Sequence, residues 1–176
     1  LEDVENPFYS HLLRFNNSNH IKRHFSENIS KTLNSYSVMD NLEKRLPENF
    51  STWDQLSKSQ WLETTVFMSG YLLSSQGDRM GMANSIEGRY PFLDYRIIEF
   101  CSSLPPDYKL NGLNEKYLLK KLLTNRIPDR ILKRSKQAYR APIKSVFLSK
   151  DAPEYVNYML SDSYFRKAGI FNFDTV

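Results

Sequence analysis

The sequence predicts a mainly α-helical fold, and three observations carry that expectation. Leucine outnumbers valine 21 to 6; leucine is a good helix former, whereas β-branched residues favour strands. Apolar residues recur at three- and four-residue spacing in several separate runs. No stretch alternates apolar and polar residues with β-branched enrichment, so no strand or hairpin is expected.

The elements follow in order. Residues 1–50 are polar, and short runs such as Phe8, Leu12, Leu13 and Phe15, or His20, His24, Phe25 and Ile29, have helical spacing. Short helices joined by loops are expected there. Ser51-Thr-Trp-Asp54 reads as a capping box, with Ser51 as N-cap and Asp54 three residues on. From Trp53 through Leu72 apolar side chains cover more than half the circumference, which predicts a central, buried helix ended or bent at Gly77. Phe92, Leu93, Ile97, Phe100, Cys101 and Leu104 define one face of the next helix, stopped by Pro105-Pro106. Asn114 is the expected cap of a helix carrying Tyr117, Leu118, Leu122 and Leu123, and Pro128 starts a short one. Asp151, with Pro153 and Glu154 behind it, opens another. Ser161 caps the last helix and Gly169 closes it. Nothing closes the chain at Val176, so a continuation is expected.

Composition narrows the function classes. Apolar residues at 40% and aromatics at 14% suffice for a core. No apolar run approaches the ~18 residues of a membrane span. LEDVENPFYS lacks the basic start of a secretory signal. A single cysteine, Cys101, cannot form an internal disulfide, so a cytoplasmic location is the expectation. No repeat or linker divides the chain, which reads as one helical region over 1–176.

Self-contained active-site motifs are absent: no P-loop, GxGxxG, HExxH or GxSxG occurs. His20 and His24 are four apart, either a two-ligand metal pair or, more simply, solvated or capping side chains. No third ligand is near, and no metal site is expected. From Lys116 to Arg140 nine Lys and Arg stand against one acid, Asp129, in a chain of net charge +4. That block is either a solvated helix face or a seat for a polyanion, nucleotide phosphate included. The unusual segment is Gly77–Asp94, GDRMGMANSIEGRYPFLD. It interleaves five charges with core residues and holds three of the six glycines. Charges turned inward must pair, so the segment is either an ion-pair clip between helices or the floor of a pocket.

Tyr71–Phe100 (YLLSSQGDRMGMANSIEGRYPFLDYRIIEF), Leu104–Leu123 (LPPDYKLNGLNEKYLLKKLL) and Ile127–Ile143 (IPDRILKRSKQAYRAPI) occur in this order. Together they resemble the late part of the synthetase domain of glutamine-hydrolysing asparagine synthetases. The resemblance is best over 61–142 and weak over 1–50. Three features of that family are missing: the N-terminal catalytic cysteine, since residue 1 is Leu1, the SGGxDS pyrophosphate loop and the acidic SGEGxDE-like loop.

The resemblance implies a helical fragment of an α/β adenine-nucleotide α-hydrolase-like synthetase domain. It implies an ATP-dependent amidoligase that makes asparagine from aspartate and glutamine-derived ammonia through an aspartyl-adenylate, inactive as this fragment alone. ATP and Mg2+ serve the full-length enzyme, with none expected on this fragment. The implied partners are the glutaminase domain and nucleotide-binding core of its own polypeptide and small-molecule substrates, without nucleic acid or membrane, and with homodimerisation left open. Lys136, in RSK, matches the family's site lysine, and Glu87, in SIEGR, a glutamate facing the acyl-adenylate. Lys116 and Arg79 are the candidate phosphate or substrate contacts. Arg89 and Asp94 are expected as an inward ion pair, with Asp78 and Arg79 doing the same one turn earlier. Two other functions remain: an amidoligase acting on another carboxylate, or a helical interaction module without catalysis.

Overall fold

A computed structural model describes residues 4–138 and 141–176. Tyr139 and Arg140, in the third motif and the basic block, lie outside the described residues, as does Leu1. The described chain is mainly helical. Its helices are α1 (Leu12–Asn19), α2 (Glu27–Leu33), α3 (Val38–Glu43), α4 (Gln55–Leu62), α5 (Arg79–Ala83), α6 (Tyr95–Ser103), α7 (Pro106–Lys109), α8 (Tyr117–Leu123), α9 (Asp129–Leu132), α10 (Ile143–Phe147), α11 (Glu154–Met159) and α12 (Asp162–Ala168). The regular strands among the described residues are β1 (Leu110–Asn111) and β2 (Asn114–Glu115), paired antiparallel with Leu110 opposite Glu115. This hairpin corrects the expectation of no strand. Asn111-Gly112 is a turn signal, and Gly112 has φ +58°, a conformation open to glycine at little cost.

The chain gathers into two compact units. One comprises Leu1–His11 and Glu48–Ser135, the other Leu12–Pro47 and Lys136–Val176. In the first, Phe8, Phe50 and Leu62 are fully buried. The rings of Trp53 and Trp61 lie 5.3 and 5.4 Å from that of Phe50. The 3-10 turn Tyr9–His11 packs on α4. It buries His11, whose ring stacks on Phe67 at 5.5 Å and whose Nε2 lies 3.3 Å from Glu63 Oε1. In the second unit, Leu42 and Val156 are buried. Distant segments close on each other there: Ser26 N–H donates to Ile170 O and Asn172 N–H to His24 O, both at 2.8 Å, with Phe25 and Phe171 bridged and their rings 5.4 Å apart.

Several boundaries move. Asp54, not Ser51, caps α4, accepting from Ser57 N–H at 3.0 Å, because Phe50–Thr52 forms a 3-10 turn first. Lys116 precedes α8 in place of Asn114, which β2 uses. Pro153, rather than Asp151, immediately precedes α11. Ser161 and Gly169 stand as expected: Ser161 Oγ accepts from Tyr164 N–H, and Gly169 takes φ +67°.

The long central helix also departs from expectation. Beyond α4 the chain winds as a π-helix over Glu63–Asp78 before returning to α geometry in α5. At its end Arg79 N–H reaches Ser74 O, five residues back. The side chains supply the local reason. Thr64, Ser69 and Ser74 hydroxyls donate to the carbonyls of Gln60, Thr65 and Gly70 at 2.7, 2.6 and 2.8 Å. Each occupies the i−4 carbonyl that the residue's own N–H would take in an α-helix. The expected burial is absent too, since no residue of the π-wound stretch is buried.

Candidate functional site

The Gly77–Asp94 segment is built from local hydrogen bonds. At the end of α5, Ser85 N–H donates to Met82 O and Ile86 N–H to Gly81 O, at 3.1 and 2.8 Å. This is a Schellman closure, with Ser85 at the left-handed position, φ +57°. A side chain there costs about 1–2 kcal/mol relative to glycine. The closure reverses the chain and brings Ile86 O to 3.0 Å from where a Cβ on Gly81 would sit, which leaves little room for a larger residue. Segment 86–90 runs from this turn into Pro91, and Asp94 then caps α6.

Segment 86–90 has no regular secondary structure, and in it side chains two apart meet. Arg89 Nη2 meets Glu87 Oε1 at 2.8 Å. Glu87 and Arg89 side chains are 67% and 83% exposed, so the pair orients a carboxylate toward solvent and contributes little stability.

The expected Arg89–Asp94 pair does not form. Asp94 instead holds Arg96 through two side-chain bonds, at 2.9 and 2.7 Å, and accepts the Arg96 N–H at 2.9 Å. The Arg96 guanidinium, then its backbone N–H, holds the Asp94 carboxyl below its ordinary value. The reason is proximity: a helix N-cap carboxylate already faces the N–H groups of the next turn, and Arg96 is two residues away. Arg96 escaped the sequence reading, although an Asp-x-Arg spacing at a helix start was its signal. Asp78 and Arg79, at the junction of the π-wound stretch and α5, are exposed and form no ion pair among the described residues.

Lys116 sits between β2 and α8 with φ +56°. Nearby ammonium groups are engaged: Lys120 Nζ donates to Asn114 Oδ1 at 2.6 Å, and Lys121 Nζ lies 4.8 Å from the Tyr117 ring centroid. The Lys116 carbonyl accepts from Lys120 N–H at 2.9 Å, but its ammonium has no hydrogen-bond or ion-pair partner among the described residues and the residue is exposed, so its charge is available to an anion. Lys136 is likewise exposed, and it belongs to the second unit, whereas Glu87, Lys116 and Arg79 belong to the first. His20 and His24 fall on a 3-10 turn, where residues four apart do not share a face. Among the described residues no three His, Cys, Asp or Glu side chains converge as metal ligands. A concavity of about 450 Å³ in the second unit, lined in part by Ser26, Asp162, Phe165 and Arg166, includes none of the expected site residues. No helix among the described residues is long and apolar enough to cross a membrane.

Glu87 and Lys116 are exposed in the first unit, and Lys136 is exposed in the second. Residues 6–176 match the asparagine synthase family, and the chain belongs to it. The match takes in most of 1–50, where the resemblance had been weak. The chain is 36% identical over 113 residues to an amidase of Penicillium rubens, covering 61% of this chain and 16% of that protein. It is 32% identical to asparagine synthetase (glutamine-hydrolyzing) 1 of Bacillus subtilis, covering 64% and 18%. The human asparagine synthetase (glutamine-hydrolyzing) is 38% identical over 99 residues, covering 53% and 18%. The matched stretch thus spans less than a fifth of each of these relatives. No solved structure matches the chain.

Proposed function

We propose that this chain is part of the synthetase half of an ATP-dependent amidoligase that converts aspartate to asparagine. The family match over residues 6–176 carries the reading. In the reaction, a side-chain carboxylate oxygen of aspartate attacks the α-phosphorus of ATP and pyrophosphate leaves. Ammonia then attacks the acyl carbon of the adenylate, AMP leaves, and the nitrogen gives up a proton.

Each residue has a role suited to its setting. Glu87, held outward with Arg89 beside it, receives the proton from the attacking ammonia. Lys136 places an ammonium against charge developing on the α-phosphate and the leaving pyrophosphate. Lys116, without a partner among the described residues, is a second phosphate contact, and Arg79 a third. Asp94 and Arg96 hold the start of α6. With no converging acidic ligands among the described residues, no magnesium ligand is assigned to this chain.

The test is stoichiometry in the full-length polypeptide. Supplied with aspartate, Mg-ATP and glutamine or ammonia, it should release AMP and pyrophosphate one for one with asparagine. Lys136→Ala should abolish synthesis and spare glutamine hydrolysis. ATP cleavage with asparagine absent from the products would overturn the assignment of the acceptor. A second reading has its own support: the Penicillium rubens relative at 36% identity is named an amidase, which fits an acceptor carboxylate other than aspartate. Pyrophosphate release only with a peptide, β-amino acid or sugar acid would select it.

A further inference from the structure

We infer that Tyr90 is a positioning residue for Glu87, acting as a wedge behind the segment that presents it. The inference rests on the role given to Glu87 above. A Cβ built on Gly88 would fall into the Tyr90 phenol, meeting its Oη and lying 2.6 Å from Cζ and 2.7 Å from Cε2. The same phenol reaches the π-wound stretch, where its Oη lies 3.7 Å from a Cβ built on Gly77. One ring therefore spans from the Gly88 backbone to the end of the preceding helix, and glycine at 88 is what lets it lie there.

The geometry separates the two sides of the segment. Arg89 and Glu87 pair with each other, while Gly88 and Tyr90, offset by one residue, meet each other. Glu87 thus pairs with Arg89, not with the wedge. The ends of the segment are also fixed, by Ile86 N–H on Gly81 O and by Pro91, which restricts the residue before it to extended backbone; Tyr90 has φ −120°. Between those ends the Tyr90 ring lies where a side chain on Gly88 would be. The Tyr90 hydroxyl makes no hydrogen bond to any described residue, so the ring, not the hydroxyl, does the positioning.

The experiment uses the full-length polypeptide and the variants Tyr90→Phe, Tyr90→Ala, Gly88→Ala, the Gly88→Ala/Tyr90→Ala double and Glu87→Gln. The readouts are kcat and KM for ATP by pyrophosphate release, and thermal melting. Tyr90→Phe should keep wild-type kcat. Tyr90→Ala should lower kcat by about 10- to 100-fold, the scale of a misplaced reacting group, with KM for ATP unchanged. Gly88→Ala should lower both kcat and melting temperature. In the double variant the added methyl has room, so it should match Tyr90→Ala alone and melt no lower. Wild-type kcat in Tyr90→Ala overturns the wedge, as does a double variant whose losses multiply. Loss of activity in Tyr90→Phe overturns it differently, by giving the hydroxyl the role. Wild-type turnover in Glu87→Gln would sink the role of Glu87. The melting of the Gly88 and Tyr90 variants would still decide whether the wedge exists.

Discussion

Phe50 is 2% exposed and Phe100 59%, although both are large aromatic side chains. Phe50 lies in a 3-10 turn ahead of α4, and its ring meets Trp53 three residues on and Trp61 on the far side of α4. Phe100 lies on α6, whose apolar residues Tyr95, Ile97, Ile98 and Phe100 are all exposed, with no residue of the helix buried. Among the described residues, α6 has its main contact with the adjoining turn Pro91–Leu93. Periodicity states which face of a helix is apolar. Burial needs a second apolar surface; among the described residues α4 has one, and α6 leaves its apolar face exposed.

Three changes would break or sharpen this contrast. Phe50→Ala should cost about 3–5 kcal/mol, the range for deleting a buried aromatic ring, and shift the urea midpoint sharply. A small shift would mean that the Phe50 environment collapses around the gap, and the two regions would be less different than they look. Asp94→Asn should come next. With little packing to hold it, α6 depends on its cap, so this change should lower the melting temperature at neutral pH. The Asp94 carboxyl titrates below its ordinary 3.8 in the folded state. Its stabilisation is therefore full above that ordinary value and lost as pH falls through the lower folded one. The gap between wild type and Asp94→Asn should close at strongly acid pH; a gap that is constant with pH would remove the charge from the account. Phe100→Ser should change the stability of the chain by less than about 0.5 kcal/mol, as exposed substitutions do. A large loss there would show that α6 is covered after all.

The candidate site was legible in part, for the same reason. Glu87 was a candidate from its match in SIEGR, and Asp94 was expected as the partner of Arg89. The pairing was different: Arg89 took Glu87 and Asp94 took Arg96, each two residues away, because a short covalent path outcompetes a partner across a turn. Tyr90 stands before Pro91 in the sequence, which gives it no distinct role. Its contact with Gly88 depends on the ring folding back along the chain, which spacing does not encode.

The sequence by itself determined the helical class, the family and the ends of several helices. Those rest on the leucine-rich composition, on motif order and on caps such as Ser161 and Gly169, whose capping bonds (Tyr164 N–H to Ser161 Oγ, Gly169 N–H to Phe165 O) stay within about four residues. Tertiary structure alone decided the burial of Phe50 and His11, the exposure of α6, and the joining of residues 24–26 to 170–172. Such contacts bring together groups far apart in the chain. Their stability depends on which apolar surfaces and backbone groups find each other in space, and local residue order carries no term for that.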